Sequence, residues 1–358
     1  MNGVPISITS GLDRAVTDLL KAVLKSGAAG TVLIPLEVPA GDSYAYTVVS
    51  SADLLERGRA LPPIMATQGA TALADVSQLI GEEGLVAVMR PCEMAAAVEL
   101  AKLDQINLDY ITLLTVDCPG AVPLSAYLGG EVAEPAWSDE ASVRPVCKTC
   151  VKFSATGDLH VATLGLDEGK AILVATSEKG TALLERLDMR ADSDTSAWEN
   201  EVKKLTASRS QARAEEHKKL SAEVSGLENI TEFFSRCIGC HNCSSVCPIC
   251  YCRQCFIDSD GRDAPASEYL IRARNAGSLR LPTNTILFHL GRMAHMSLSC
   301  VSCGACQDAC PADIPVAELF SMVAGRTQVI FDYVPGSDVT QPAPLTNYKE
   351  DELHAVED

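Results

Sequence analysis

Residues 237–248 read CIGCHNCSSVCP, and residues 300–311 read CVSCGACQDACP. Cys237, Cys240, Cys243 and Cys247, followed by Pro248, fit C-x2-C-x2-C-x3-C-P; Cys300, Cys303, Cys306 and Cys310, followed by Pro311, fit it again. This is the bacterial ferredoxin run for cubane [4Fe-4S] clusters, in which the fourth Cys ligates the other cluster. Three thiolates on one tight loop reach three irons, and the fourth opens a helix that points away. The spacing predicts one cluster on Cys237, Cys240, Cys243 and Cys310, and a second on Cys300, Cys303, Cys306 and Cys247. A zinc ribbon also uses paired C-x2-C knuckles. Zinc takes only four ligands, however, and gives no reason for a third Cys at the same step or for the proline.

Working outward, the chain has 358 residues and 15 Cys. A disulfide framework belongs to short secreted chains, and an odd count leaves one thiol over. Cys250, Cys252 and Cys255 follow the first run in CPICYCRQC and are surplus to two cubanes. They are candidates for a further iron–sulfur or zinc centre, with His241 nearby, or for replacing an expected ligand; the bland alternative is free buried thiols. The other four are Cys92, in Arg90-Pro91-Cys92, Cys118, in Asp117-Cys118-Pro119-Gly120, and the knuckle Cys147-x2-Cys150. Cys92 and Cys118 each follow an apolar run. If those runs are parallel strands, both thiols lie at the carboxyl edge of the sheet, where open α/β folds bind ligands. Four thiolates converging there are expected to hold a third [4Fe-4S] cluster; the alternative is two structural Cys beside a zinc knuckle.

The first half alternates helical and extended patterns. Leu12, Val16, Leu19, Leu20, Val23 and Leu24 recur at helical spacing and Gly27 and Gly30 close the helix. Strands are expected at 31–38, 84–89 and 110–116, with helices over 71–80 and 93–103. Continuous apolar strands separated by helices indicate a mainly parallel sheet covered on both faces. The fold class expected is an α/β domain over residues 1–190 plus a C-terminal α-rich, two-[4Fe-4S] ferredoxin-like domain over 226–335. A helical connector over 191–225, rich in Glu, Lys, Arg and Ala with i,i+4 pairs, links them. Residues 336–358 read as an acidic tail. Lys+Arg 29 against Asp+Glu 47 gives a net charge of −18, which argues against nucleic acid as a partner. No apolar run reaches membrane-span length and no signal peptide is recognised at the start, so a cytoplasmic protein is expected.

Four stretches together resemble the beta subunits of coenzyme F420-reducing hydrogenase and F420-dependent formate dehydrogenase. They are Arg90-Pro91-Cys92-Glu93; Val116-Asp117-Cys118-Pro119; Cys147-Lys148-Thr149-Cys150; and the first ferredoxin run with Phe288-His289-Leu290-Gly291-Arg292-Met293-Ala294-His295-Met296 and the second run. The resemblance spans most of residues 60–315. It implies FAD in the α/β domain, set between an iron–sulfur chain and a two-electron carrier such as F420. It also implies a larger complex with a hydrogenase, formate dehydrogenase or heterodisulfide reductase-like partner. No G-x-G-x-x-G follows the first strand. The candidate flavin loop is Met65 to Thr71: Thr67, Gln68, Gly69 and Ala70 at a helix start would offer amides to a pyrophosphate, with Arg90 supplying positive charge. A turn and N-cap would use the same residues.

The chemistry expected is therefore conversion between hydride transfer at FAD and single-electron flow through cubanes, with F420 or NAD(P)H as the carrier. No Ser/His/Asp or paired-carboxylate site stands out, so the functional residues are ligands and binders. A flavin-less relay adaptor linking redox partners is the alternative from another class, and a zinc-stabilised interaction protein is a third.

Overall fold

The computed structural model describes residues 2–130, 134–154, 157–252, 255, 257, 265–277, 285–344 and 346. The first half builds one eight-stranded sheet from β1 (Asn2–Ser7), β2 (Thr31–Glu37), β3 (Tyr44–Val49), β4 (Leu85–Met89), β5 (Ile111–Val116), β6 (Leu159–Ala162), β7 (Lys170–Ala175) and β8 (Ser193–Asp194). Their order is β3-β2-β4-β5-β6-β7-β1-β8. The central strands β2, β4, β5 and β6 run parallel. The flanks are antiparallel: β3 on β2, and β7, β1 and β8 beyond β6. The sheet is thus mixed around a parallel core, where the apolar runs alone predicted mainly parallel strands.

The runs at β4 and β5 are apolar throughout because both faces are covered. Val86 and Val88 face a core shared with Val16, Leu20 and Val23 of α1 (Leu12–Ser26) and Leu183 and Leu184 further along the chain. Leu85, Ala87 and Met89 face the other core, with Leu73 of α2 (Gly69–Ser77) and Ala95, Ala96 and Leu100 of α3 (Pro91–Lys102). Helices α1–α3 lie where the sequence spacing expects them, shifted by one to three residues at the ends. Short α4 (Leu124–Leu128) and α5 (Pro145–Lys148) follow β5, and α6 (Glu178–Arg186) follows β7.

The charged segment forms α7 (Ser196–Glu223), 28 residues long. It carries the expected surface pairs, such as Lys219 with Glu223 at 3.9 Å, but it also inserts buried Trp198 and Arg209 into the first half. Beyond it come α8 (Leu227–Phe233), α9 (Asn242–Ser245), α10 (Ala266–Ala276), α11 (Thr285–Met296), α12 (Ala305–Asp308) and α13 (Val316–Ile330). Their shared interior combines Phe234, Phe288, Met293, Leu319 and Phe320 with Cys243 and Cys300, while Cys237, Cys247, Cys306 and Cys310 pack against it. Most of the acidic tail, 347–358, lies outside the described residues.

Two polar clamps join the halves. Glu99 of α3, fully buried, accepts Tyr333 Oη at 2.7 and 2.8 Å and the Gly336 amide at 2.9 Å, and it pairs with Lys102 at 3.1 Å. Arg144 pairs with Asp308 and donates to the Cys303 carbonyl at 3.0 Å.

Candidate metal centres

The two ferredoxin runs fold into the same loop. In each, the residue before the second Cys and the residue after it take positive φ: Gly239 (69°) and His241 (58°) in the first run, Ser302 (56°) and Gly304 (83°) in the second. His241 and Gly304 then open the equivalent four-residue helices α9 and α12, which pack together. The backbone amide of Gly239 favours the thiolate of Cys237, and that of Ser302 favours Cys300. Successive left-handed residues turn backbone N–H groups toward one point and make an anion-binding nest. Only glycine fits at 304, because a Cβ there would stand 2.8 Å from the Val146 side chain. His241 accepts the strained conformation and stacks on Phe288 at 3.9 Å. The likeness extends past the loops, since the Cys250 amide returns to the Cys247 carbonyl as the Asp313 amide does to Cys310. Cys250 therefore stands where the second run has Asp313.

Cys243 feels Cys310, Cys237 and Cys240; Cys303 feels Cys300; and Cys306 feels Cys303, Cys300 and, from the first run, Cys243. Burial pushes the Cys243 and Cys303 thiols up to about 11 and the Cys306 thiol well above its ordinary value. Of the surplus thiols, Cys250 is hydrogen-bonded to Cys247, and that bond and burial raise its pKa. Cys252 is exposed and Cys255 half-buried.

The remaining four Cys come to one place in the structure. Cys92 lies in the first turn of α3, just past β4, and Cys118 lies just past β5. Cys147 sits on α5 and Cys150 follows it. All four line one small cavity with Cys303 of the second run. Burial, then Cys303, Glu93 and Cys118, push the Cys92 thiol well up, and burial with Cys147 takes Cys150 to about 11. Groups so placed stay protonated unless a cationic centre stabilises their thiolates. The chain provides partial compensation: Arg90 Nη1 donates to Cys118 Sγ at 3.0 Å, and the amides of Ala121 and Lys152 favour the thiolates of Cys147 and Cys150. Buried thiols grouped in fours, with N–H donors directed at their sulfurs, fit cubane ligation by donor chemistry. Among the described residues, no three His, Cys, Asp or Glu close on a point that a single ion would occupy.

Asp117, one residue before Cys118, organises this edge of the sheet, a role that spacing alone did not reveal. Its carboxylate accepts the amides of Thr163 (2.7 Å) and Leu164 (3.0 Å), His160 Nε2 (3.0 Å), Trp198 Nε1 (3.1 Å) and the Ser154 hydroxyl. Burial by itself would raise its pKa, but the hydrogen bonds from His160, Ser154 and Thr163 prevail and lower it. These donors come from Ser154 ahead of β6, from β6, the turn after it and α7, so no local pattern announces them.

The candidate flavin loop behaves differently from its sequence reading. Thr67 is exposed, while Gln68, Gly69 and Ala70 are buried. The Gly69 amide donates to Glu93 Oε1 at 2.9 Å and the Ala70 amide to Gln68 Oε1 at 2.6 Å. Arg90 is held by Cys118, by the Gly120 carbonyl at 2.9 Å and by the Pro62 carbonyl. As arranged, this helix start is an N-cap whose amides serve the protein, and it does not fit a pyrophosphate. Gln68 Nε2 alone among the loop's side-chain atoms is buried without a partner among the described residues. A cleft of about 560 Å³ opens instead on the other side of the Cys118–Gly120 backbone. It is lined by Gly11 and Arg14 of the α1 start, Arg57, Arg59, Pro119 and Trp137, among others. Pro119 borders this cleft while its neighbours Cys118 and Gly120 border the thiol cavity.

No helix among the described residues is long and apolar enough to cross a membrane. Comparison with known proteins matches residues 232–314 to a 4Fe-4S dicluster domain family. The chain is 25% identical to the F420-dependent formate dehydrogenase subunit beta of Methanocaldococcus jannaschii, over 93% of this chain and 94% of that protein. It is 28% identical to the F420-dependent formate dehydrogenase 1 subunit beta of Methanococcus maripaludis, over 92% of each. A chain in a xenon-derivatised structure of the F420-reducing [NiFe] hydrogenase complex from Methanosarcina barkeri aligns with TM-score 0.48 and 12% identity, covering 64% of this chain and 95% of that one. The chain thus resembles, along more than nine tenths of its length, the beta subunits of F420-dependent formate dehydrogenases, and its relatives are oxidoreductase subunits, as the four cysteine-bearing stretches imply.

Proposed function

We infer that this chain is the iron–sulfur flavoprotein subunit of a cytoplasmic oxidoreductase complex, passing electrons between [4Fe-4S] clusters and an FAD that exchanges hydride with F420 or a similar carrier. The partner is a hydrogenase, formate dehydrogenase or heterodisulfide reductase-like module. The observation that carries this reading is the cavity shared by Cys92, Cys118, Cys147, Cys150 and Cys303. It joins the carboxyl edge of the sheet to the second ferredoxin run, as a chain of closely spaced one-electron centres requires.

Bound flavin and cubanes supply the exchange between a two-electron hydride and single electrons. The chain's own residues provide position and charge. Arg90 holds a permanent cation against Cys118 while its other donors are tied to carbonyls, which fixes the loop on which Cys118 lies. Asp117 fixes the same loop from the other side. Burial keeps water from the thiols. The flavin is assigned to the 560 Å³ cleft, whose volume is that of a small-molecule site and whose lining residue Pro119 stands between Cys118 and Gly120 of the thiol cavity. Arg14, Arg57 and Arg59 line the cleft beside Asp13, Glu37, Glu56 and Glu134 and are engaged with Glu56, the Glu37 carbonyl and Asp13 in turn, so a phosphorylated ligand would have to displace those partners.

The test is anaerobic purification of the full chain with assay of iron, sulfide and extractable flavin, then addition of reduced F420 or NAD(P)H. Stoichiometric flavin and about twelve irons, from three cubanes, with bleaching by the reduced carrier support the reading. Clusters without flavin would move it to a relay adaptor, and zinc with negligible iron would reject both.

A further inference from the structure

Helix α11 brings Arg292 into the middle of the ferredoxin-like half. The residue is 4% exposed, and Nε, Nη1 and Nη2 meet no nitrogen or oxygen acceptor among the described residues, their one hydrogen-bonding neighbour there being the Cys250 thiol. Its guanidinium lies between two aromatic rings, 4.7 Å from the Phe320 centroid and 5.8 Å from Phe288. No acidic side chain among the described residues pairs with it. Its nearest electrostatic partners are sulfurs: Cys243 from one predicted cluster, Cys247 and Cys306 from the other, and Cys250 beside Cys247.

A buried cation with no anion is costly. Contact with ring faces offsets about 2 kcal/mol at best, and of the five N–H donors most stay unmet among the described residues. A guanidinium is retained in such a place when an anion of matching reach occupies the space in front of it. Here the rings that hold Arg292, Phe288 and Phe320, share their core with Cys243 and with Cys247 and Cys306 packed against it, thiols assigned to both cubanes.

We propose that Arg292 is a built-in donor to the sulfur atoms of the two ferredoxin-type centres, lying between them and raising the potential at which they accept an electron. The inference rests on the cluster reading above and deepens it. Reduction adds one negative charge to a cubane, so a fixed positive charge nearby favours the reduced form. Hydrogen bonds to cluster sulfur and local charge are both established levers on potential. Arg292 touches no substrate and acts as a positioning and tuning residue. His289, one turn earlier on the same helix, accompanies it, with Nε2 3.4 Å from Cys237 Sγ and the ring stacked on Phe234 at 3.8 Å.

The experiment uses the full chain purified anaerobically, with iron and sulfide measured first and potentials then read by redox titration under electron paramagnetic resonance. Arg292→Gln, loaded with iron as the wild type is, should shift at least one ferredoxin-type signal to more negative potential. Arg292→Lys, which keeps the charge, should recover part of that shift. In parallel, wild-type chain with 15N-labelled arginine should show a nitrogen hyperfine coupling to a reduced cluster that Arg292→Lys lacks. The coupling is read on the native chain, so it decides the matter even if Arg292→Gln fails to load. An unshifted Arg292→Gln at full iron content, or labelled wild type without the coupling, or the same coupling surviving in Arg292→Lys, would overturn the proposal. A wild-type chain without iron would instead defeat the cluster reading itself.

Discussion

Replacing Asp117 with Asn tests whether the edge of the sheet holds the third thiol group in place. The carboxylate accepts five donors: two amides, a histidine N–H, an indole N–H and a hydroxyl. An asparagine side chain has one oxygen, so whichever way it turns, its NH2 group faces at least two of those donors. Each lost hydrogen bond to a charged acceptor is worth about 1.5–3 kcal/mol, so the change should cost about 3–6 kcal/mol. That is a large fraction of a typical stability of about 5–15 kcal/mol. The chain has two Trp, and Trp198 itself donates to Asp117, so anaerobic urea unfolding followed by tryptophan fluorescence reports the site directly. Iron should fall with stability, because Cys118 is the next residue. A folded Asp117→Asn chain within about 1 kcal/mol of wild type and with full iron would refute the argument. The sign of the pH effect follows from the lowered pKa of Asp117. A carboxylate whose folded pKa lies below its unfolded value, about 3.9, contributes stability that is fully present above that value. The contribution is lost as pH falls through the folded pKa. Wild type should therefore lose stability below about pH 4 more steeply than Asp117→Asn.

Three further outcomes are expected. Cys147→Ser should remove about four of about twelve irons and leave the ferredoxin-type signals, measured by iron assay and paramagnetic resonance. Gly304→Ala should cost about 1–3 kcal/mol, because a left-handed residue gains a side chain there 2.8 Å from Val146, and it should lower iron loading of the second run. Glu99→Gln leaves buried Lys102 without its charge partner and should cost about 3–5 kcal/mol, whereas Tyr333→Phe should cost only about 1–2 kcal/mol; thermal unfolding ranks the two.

Strands β2, β4 and β5 were legible because a strand buried on both faces must be apolar at every position. The flanking strands were not. Flanking β3 is buried only at its two ends, with Tyr46 and Thr47 half-exposed between, and β6, the last of the parallel strands, has only four residues, so neither stands out as an apolar run. The cysteine loops were legible because cluster chemistry fixes sequence spacing directly, and the repeated pattern of left-handed residues follows from that spacing. At the candidate flavin loop the sequence shows a helix start that offers amides, and only the structure shows that Glu93 and Gln68 take those of Gly69 and Ala70. Asp117, Arg292 and the Glu99 clamp are defined by partners tens to hundreds of residues away, and local sequence carries no trace of such contacts.

Glu99 grips Tyr333 and Gly336 after the chain has passed through all of α13, and Arg144 grips Asp308 of α12. With the second half tied to the first at two points, the proposed relay would have its gaps set by architecture instead of by collisions. Such a conductor would work by hopping across fixed distances and would have no use for a swinging arm.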